Sequence, residues 1–149
     1  MNILFMCVAN SARSQMAEGL ARKFLGSHAN VESAGSAPSK VNSFAVQAMK
    51  EVGVHLSSHY SKSCDDLKPG FIVQLDYVIT LCAEEVCPMI VTPKAKKLHW
   101  PFPDPAGKGG SDEEQLQRFR EARDAIANRI ISLAKELDVP LAMGLGSHS

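Results

Sequence analysis

Cys7 and Arg13 bracket a run of small and polar residues, "CVANSARS" (7–14), that directly follows the apolar stretch "NILFM". A loop between a strand and a helix can turn successive backbone N–H groups inward. The helix adds its own unpaired N–H groups and the positive end of its dipole. Such a nest holds a tetrahedral oxyanion. The candidate oxyanion-binding residues are therefore Val8, Ala9, Asn10, Ser11, Ala12, Arg13 and Ser14. Ala9, Ser11 and Ala12 are small enough to let the backbone approach. Arg13 adds a planar clamp on two oxygens. Asn10 can brace the loop through its side-chain amide, and Ser14 can donate to a thiolate. Helix N-termini and nearby cations favour the thiolate form of a cysteine, which makes Cys7 the candidate nucleophile. The plainer alternative is a buried strand-end cysteine beside an exposed arginine. A bare C-x5-R would favour that alternative. Its place after an apolar run, before a helical pattern and near the N-terminus favours the site.

The elements that must position this loop read as an α/β alternation. "NILFMC" is a short apolar run and reads as a buried strand. In "SQMAEGLARKFLG", Met16, Leu20, Phe24 and Leu25 recur at helical spacing, with Gly26 as the C-cap. "NVESAG" reads as a second strand, and "SFAVQAMKEVG" as a helix capped by Ser43 and stopped by Gly53. "HLSSHYSKSCDDLKPG" is less regular, with room for one short helix. "LDYVITLC" is a buried strand, "AEEVCPMIVTPK" a loop, "KKLHW" a further strand and "PFPDPAGKGG" a loop rich in Pro and Gly. The longest helix starts at Ser111, which forms a capping box with Glu114. Its apolar stripe is Leu116, Phe119, Ala122, Ile126, Ile130 and Leu133. The fold class is α/β: a three-layer sandwich, with a small parallel four-stranded sheet and helices on both faces. Residues 1–138 form one domain, and residues 139–149 a poorly ordered tail. Ligands of such sheets bind at the carboxyl ends of the strands. Cys7, Cys82 and the loop after Trp100 all fall at such ends.

Lys plus Arg and Asp plus Glu both number 16, so no bulk electrostatic argument for nucleic acid or an acidic membrane surface follows. No apolar run approaches the ~20 residues that span a bilayer. The N-terminus has no basic leading segment, so it reads as a first strand and the expected compartment is the cytoplasm. There the four cysteines, Cys7, Cys64, Cys82 and Cys87, should start as thiols. Catalytic or metal roles then outweigh structural disulfides.

"CVANSARSQMAEG" resembles the phosphate-binding loop of the low-molecular-weight protein tyrosine phosphatase superfamily. "ESAG" (32–35), "DDLKPG" leading into "DYVITLC", and "DPAG" (104–107) match that family in order, so the resemblance covers roughly residues 2–137. It implies that Asp104 is a general acid to the departing oxygen, on a loop stiffened by proline; a solvated turn residue is the alternative. In the phosphatases an aromatic residue typically follows Asp-Pro. Here Ala106 and Gly107 follow, which removes a ring wall and favours a small inorganic substrate.

Phosphate and arsenate share shape and charge, so the loop cannot choose between them. "TLCAEEVCP" discriminates better, with Cys82 at a strand end and Cys87 five residues on. Reducing As(V) to As(III) needs two electrons, which two thiols supply by forming a disulfide. The arrangement resembles the arsenate reductases coupled to thioredoxin, and that resemblance implies a relay. Cys7 attacks arsenate while Asp104 assists loss of hydroxide. Cys82 attacks the Cys7 sulfur, and arsenite leaves. Cys87 then attacks Cys82, leaving a Cys82–Cys87 disulfide for thioredoxin to reduce. No tightly bound cofactor is implied. Glutaredoxin with glutathione, or another low-molecular-weight thiol, is the alternative donor. Phosphate and sulfate are competing oxyanions. The gap between the last two cysteines is slightly shorter than in the best-known pattern, and it closes a disulfide only if the Cα atoms come within ~7 Å.

Some related reductases hold a monovalent cation using the loop Asn, a helix Glu, the Ser of the "SAG" strand and a later carboxylate. Asn10, Glu18 and Ser33 match the first three, and Lys62 falls near the fourth. The Lys62 ammonium, paired with Glu18, would then replace the cation; a Lys62 side chain in solvent is the alternative. A zinc reading would use Cys82, Cys87, Cys64 and His99, but no second tight cysteine pair supports it, and no metal site is expected. Cys64 reads as an incidental thiol, His55 and His59 as surface or packing residues, and Trp100 as a core or loop anchor. The two rival functions are a protein tyrosine phosphatase using Cys7, Arg13 and Asp104, and a non-catalytic oxyanion- or metal-binding regulator.

Overall fold

The computed structural model describes residues 1–56, 59–82 and 94–142. Four parallel strands form one sheet: β1 (Asn2–Cys7), β2 (Asn30–Gly35), β3 (Tyr77–Cys82) and β4 (Lys96–Phe102), in the order β2-β1-β3-β4. β1 is central, and Ile3, Leu4, Phe5, Met6 and Cys7 are all buried. That explains its unbroken apolar run, because a strand covered on both faces has no solvent side to alternate toward. Helices α1 (Arg13–Leu25), α2 (Ser43–Lys50) and α4 (Asp112–Glu136) cover one face through Ile3, Phe5, Ile79, Leu81 and Trp100. A 3-10 turn at Cys64–Asp66 and the short helix α3 (Pro69–Val73) cover the other, through Leu4, Met6 and Val78.

The chain leaves β1 toward β2 on one side and returns to β3 on the other. The switch point of the sheet therefore lies between the carboxyl ends of β1 and β3, which carry Cys7 and Cys82. A crevice opens at such a point because the two following connections diverge.

Several boundaries differ from the sequence expectation. The cap of α2 is Asn42, whose side chain accepts from the Phe44 N–H at 2.8 Å, and Ser43 is the first helical residue. Asn42 lies one residue further from the apolar stripe, and two good capping residues in a row cannot be ranked from the sequence. α2 also stops before Gly53, which ends the following turn with φ 79°. β4 continues through Pro101 to Phe102. Proline is tolerated there because β4 is an edge strand whose outer N–H groups need no partner. The capping box of α4 forms, with Ser111 Oγ accepting from Glu114 N–H and Glu114 Oε1 accepting from Ser111 N–H. Along its stripe Phe119, Ile126, Ile130 and Leu133 are buried, and Leu116 and Ala122 are half-buried. Ala142 N–H donates to Phe24 O at 2.8 Å, so the chain just after α4 lies against α1. Residues 143–149 lie outside the described residues.

Candidate active site

The loop between β1 and α1 is turned inside out by what surrounds it. Segment 37–42 runs alongside it, and Ala37, Ser39 and Asn42 donate their N–H groups to the carbonyls of Val8, Ala9 and Ser11 at 2.8–3.0 Å. The Asn10 carbonyl accepts from Gln15 Nε2 and Ser61 Oγ, and the Ala12 carbonyl from Met16 N–H. Every carbonyl from Val8 to Ala12 is thus held on the outer side. In a planar trans peptide the next residue's N–H points the opposite way. The N–H groups of Ala9 through Arg13 therefore face the hollow of the loop. α1 begins there with no side-chain cap, so its first N–H groups add to the same nest.

Asn10 makes the tight turn at φ 50°, a left-handed conformation that asparagine tolerates better than most residues. It is fully buried. The backbone N–H of Lys62 donates to its Oδ1 at 2.9 Å, and Gln15 Nε2 donates to the same atom at 3.0 Å. Those two donors fix the amide orientation, so Nδ2 is the atom that donates to Ser14 Oγ at 2.8 Å. Ser14 Oγ accepts there and lies 2.9 Å from Cys7 Sγ, a hydrogen bond in which either the hydroxyl or the thiol can donate. The backbone of Lys62 is thereby joined to the Cys7 sulfur, three links along.

Arg13 is buried to 4% exposure. Its Nη1 donates to the carbonyls of Phe102 at 2.9 Å and Leu81 at 3.4 Å, and its Nη2 lies 3.7 Å from Asp104 Oδ2. Asp104 is half-buried, and its Oδ1 accepts from the Ala106 N–H. That self-contained turn holds the carboxyl beside the arginine. Cys82 ends β3 and is buried. Cys7 and Cys82 sit on neighbouring strands paired as Met6 with Thr80. Both side chains are buried at the ends of their strands. Cys87 lies outside the described residues. A cavity of about 420 Å³ adjoins Asp104, walled by Phe102, Pro103 and Pro105 and by Ala122 and Ala125 of α4.

Residues 2–141 match the family model described as "Low molecular weight phosphotyrosine protein phosphatase". The chain belongs to the low molecular weight phosphotyrosine protein phosphatase family. Within it, the chain is 45% identical over 136 residues to a protein of Halalkalibacterium halodurans named arsenate reductase, covering 89% of this chain and 94% of that one. A solved thioredoxin-dependent arsenate reductase of Corynebacterium glutamicum is 32% identical with a TM-score of 0.69, over 92% of this chain and 61% of that one. An arsenate reductase solved in the phosphate-binding state is 31% identical with a TM-score of 0.72, over 91% and 97% of the two chains.

Other residues around the loop of this phosphatase-family chain form a charged support that sequence reasoning covered only in part. Ser33 Oγ donates to Glu18 Oε1 at 2.6 Å. Lys62 Nζ lies 3.8 Å from Glu18 but 2.8 Å from Glu32, and Glu18 pairs more closely with Arg22, at 2.9 Å. Glu32 and Arg22 were not singled out from the sequence, although Glu18 and Arg22 stand at the i,i+4 spacing that pairs charges on a helix. Gln15 was also missed, whereas His59, read from the sequence as a surface or packing residue, takes the packing role. Gln15 Oε1 can only accept, so His59 Nδ1 donates to it at 2.9 Å. Burial pushes the His59 imidazole below its usual pKa, against the pull of Glu18 and with the push of Arg22 and Lys62. His59 is therefore a packed support beneath the loop. His99 is exposed and bonded to Thr80 Oγ1. Cys64 is half-buried, and burial, then the Asp65 carboxylate, push its thiol up, which disfavours a nucleophilic role. Among the described residues no three His, Cys, Asp or Glu side chains gather as a metal site.

Proposed function

We propose that the protein reduces arsenate to arsenite with a thiol relay regenerated by thioredoxin. The observation that carries this reading is the pair of cysteines at the switch point, Cys7 on β1 and Cys82 on β3. Phosphate-ester hydrolysis needs one thiolate and water, whereas a two-electron reduction needs a second thiol within reach. The curated relative named arsenate reductase and the solved thioredoxin-dependent arsenate reductase support the same assignment.

In this reading arsenate enters the loop, with its oxygens on the inward N–H groups and the Arg13 guanidinium. The Cys7 thiolate, aided by the Ser14 hydroxyl, attacks arsenic. An As–S bond forms and an As–O bond breaks, the departing oxygen taking a proton from Asp104 to leave as water. Cys82, as thiolate, attacks the Cys7 sulfur. The As–S electron pair passes to arsenic, which leaves as arsenite, and a Cys7–Cys82 disulfide remains. Cys87 attacks Cys82 and restores Cys7, and thioredoxin reduces the resulting Cys82–Cys87 disulfide. Electrons balance: two thiols lose what As(V) gains.

Asn10, Glu18, Ser33 and Lys62 support the loop in this account. The Lys62 ammonium lies between Glu32 and Glu18, so a potassium ion placed beside Glu18 would meet a fixed positive charge. The donor set does not fit a resident monovalent cation, and no step is routed through one. The Ala106–Gly107 pair after Asp-Pro supplies no ring wall for a phosphotyrosine, which weighs against the phosphatase reading.

The test is arsenate-dependent NADPH oxidation with thioredoxin and thioredoxin reductase. Steady turnover is expected; its absence, with brisk hydrolysis of an aryl phosphate, would reverse the assignment. In the same assay Asp104→Asn is expected to lose about 10²–10⁴-fold in kcat. Diamide-driven disulfide formation in that variant should proceed at the unsubstituted rate, because thiol exchange does not use the acid.

A further inference from the structure

Arg13 is assigned above to the oxyanion, yet its guanidinium is already attached to the sheet. Nη1 spans two backbone carbonyls on different strands, Leu81 O on β3 and Phe102 O on β4. Leu81 immediately precedes Cys82. Phe102 is the residue that Cys82 faces across the pair, just past a register shift between Thr80 and Cys82. The ladder is irregular there, and an irregular ladder leaves carbonyls in need of donors. One side-chain amine group supplies them on both sides of the second thiol. Arg13 is 4% exposed and Cys82 is 2% exposed, so these charge-assisted bonds lie away from water, where they hold best.

We propose that Arg13 is also the positioning residue of Cys82, a latch that keeps the end of β3 packed. The inference rests on the reading of Cys82 as the second thiol. It makes one guanidinium serve two stages. An anion on Arg13 and the placement of Cys82 are then energetically linked, and the link runs both ways. Lysine cannot reproduce this, because a single ammonium on a flexible stem cannot bridge two carbonyls and clamp an anion together.

The experiment uses a protein carrying Cys7→Ser, Cys64→Ser and Cys87→Ser, which keeps Cys82 as its single cysteine. Alkylation by iodoacetamide is timed under native conditions with and without Arg13→Lys. The latch predicts that Arg13→Lys speeds alkylation about tenfold or more, the scale of lost hydrogen bonds from a charged donor. A sibling protein keeping only Cys64 reports general loosening, and its alkylation rate should not change. An unchanged Cys82 rate, or equal acceleration at Cys64, overturns the proposal. If Arg13→Lys does not fold, inorganic phosphate provides the second measurement in the protein with Arg13. Saturating phosphate should fix the guanidinium and slow Cys82 alkylation severalfold, and no change would overturn the latch. Arsenate is absent throughout, so failure of the reductase reading shows separately, as missing thioredoxin-coupled turnover.

Discussion

Cys7→Ser is expected to bring both arsenate reduction and aryl phosphate hydrolysis to background, a loss on the order of 10⁴-fold or more. The reason is the identity of one atom. The nest of N–H groups, Arg13 and the Ser14 hydroxyl all remain, but a serine hydroxyl stays protonated at neutral pH and offers no anion to attack. Phosphate should therefore still bind the variant, measured by calorimetry, while turnover disappears. Cys82→Ser should behave differently. Its loop is intact, so hydrolysis of an aryl phosphate should stay within a few fold of the unsubstituted protein. Sustained arsenate reduction should be lost as completely as in Cys7→Ser. Equal loss of both activities in Cys82→Ser would mean that Cys82 supports the loop rather than the electron transfer.

Gly35→Ala is the second large effect. An added Cβ would stand 2.3 Å from Val8 O and 2.8 Å from Cys7 O, both backbone atoms. Gly35 cannot retreat easily, because it pairs with Cys7 in the sheet and its N–H donates to Lys62 O at 2.9 Å. The methyl must push the start of the oxyanion loop away from β2. Overpacking of this kind costs about 1–3 kcal/mol, and displacement of the nucleophile by a fraction of an ångström to an ångström costs roughly 10²-fold in rate. Gly19→Ala is the contrast: its Cβ meets the side chains of Val54, Met49 and Leu56 at 3.0–3.2 Å, which can shift without moving the loop. The pair should separate in aryl phosphate kcat far more than in thermal midpoint. Equal kcat values would show that the close approach at Gly35 is relieved elsewhere.

The sheet was legible because its central strand is an unbroken apolar run and each strand end is marked by small or polar residues. The long helix was legible from a capping box and a regular stripe. What failed were places where two adequate signals compete, such as Asn42 against Ser43, or where edge position excuses a residue that would break an inner strand, such as Pro101. In the candidate site, Cys7, Asn10, Arg13 and Ser14 share one stretch of sequence, so their proximity follows from a single loop. Gln15, Glu32 and His59 reach the loop from below through the packing of segment 59–62 against α1 and β2. No local pattern announces that contact. Gly35 could have been suspected, since "ESAG" ends a strand beside the loop, but the approach of Val8 O is a tertiary fact. The two carbonyls on Arg13 belong to residues 68 and 89 positions away, and any carbonyl looks the same in a sequence.

The most direct test of the relay is to trap its first disulfide. A Cys87→Ser protein, fully reduced and then given stoichiometric arsenate without thioredoxin, should release one equivalent of arsenite and stop. Peptide mapping by mass spectrometry should then find Cys7 linked to Cys82, with Cys64 still a free thiol. Arsenite release with Cys7 unlinked, or no arsenite at all while Cys7 still hydrolyses an aryl phosphate, would contradict the account.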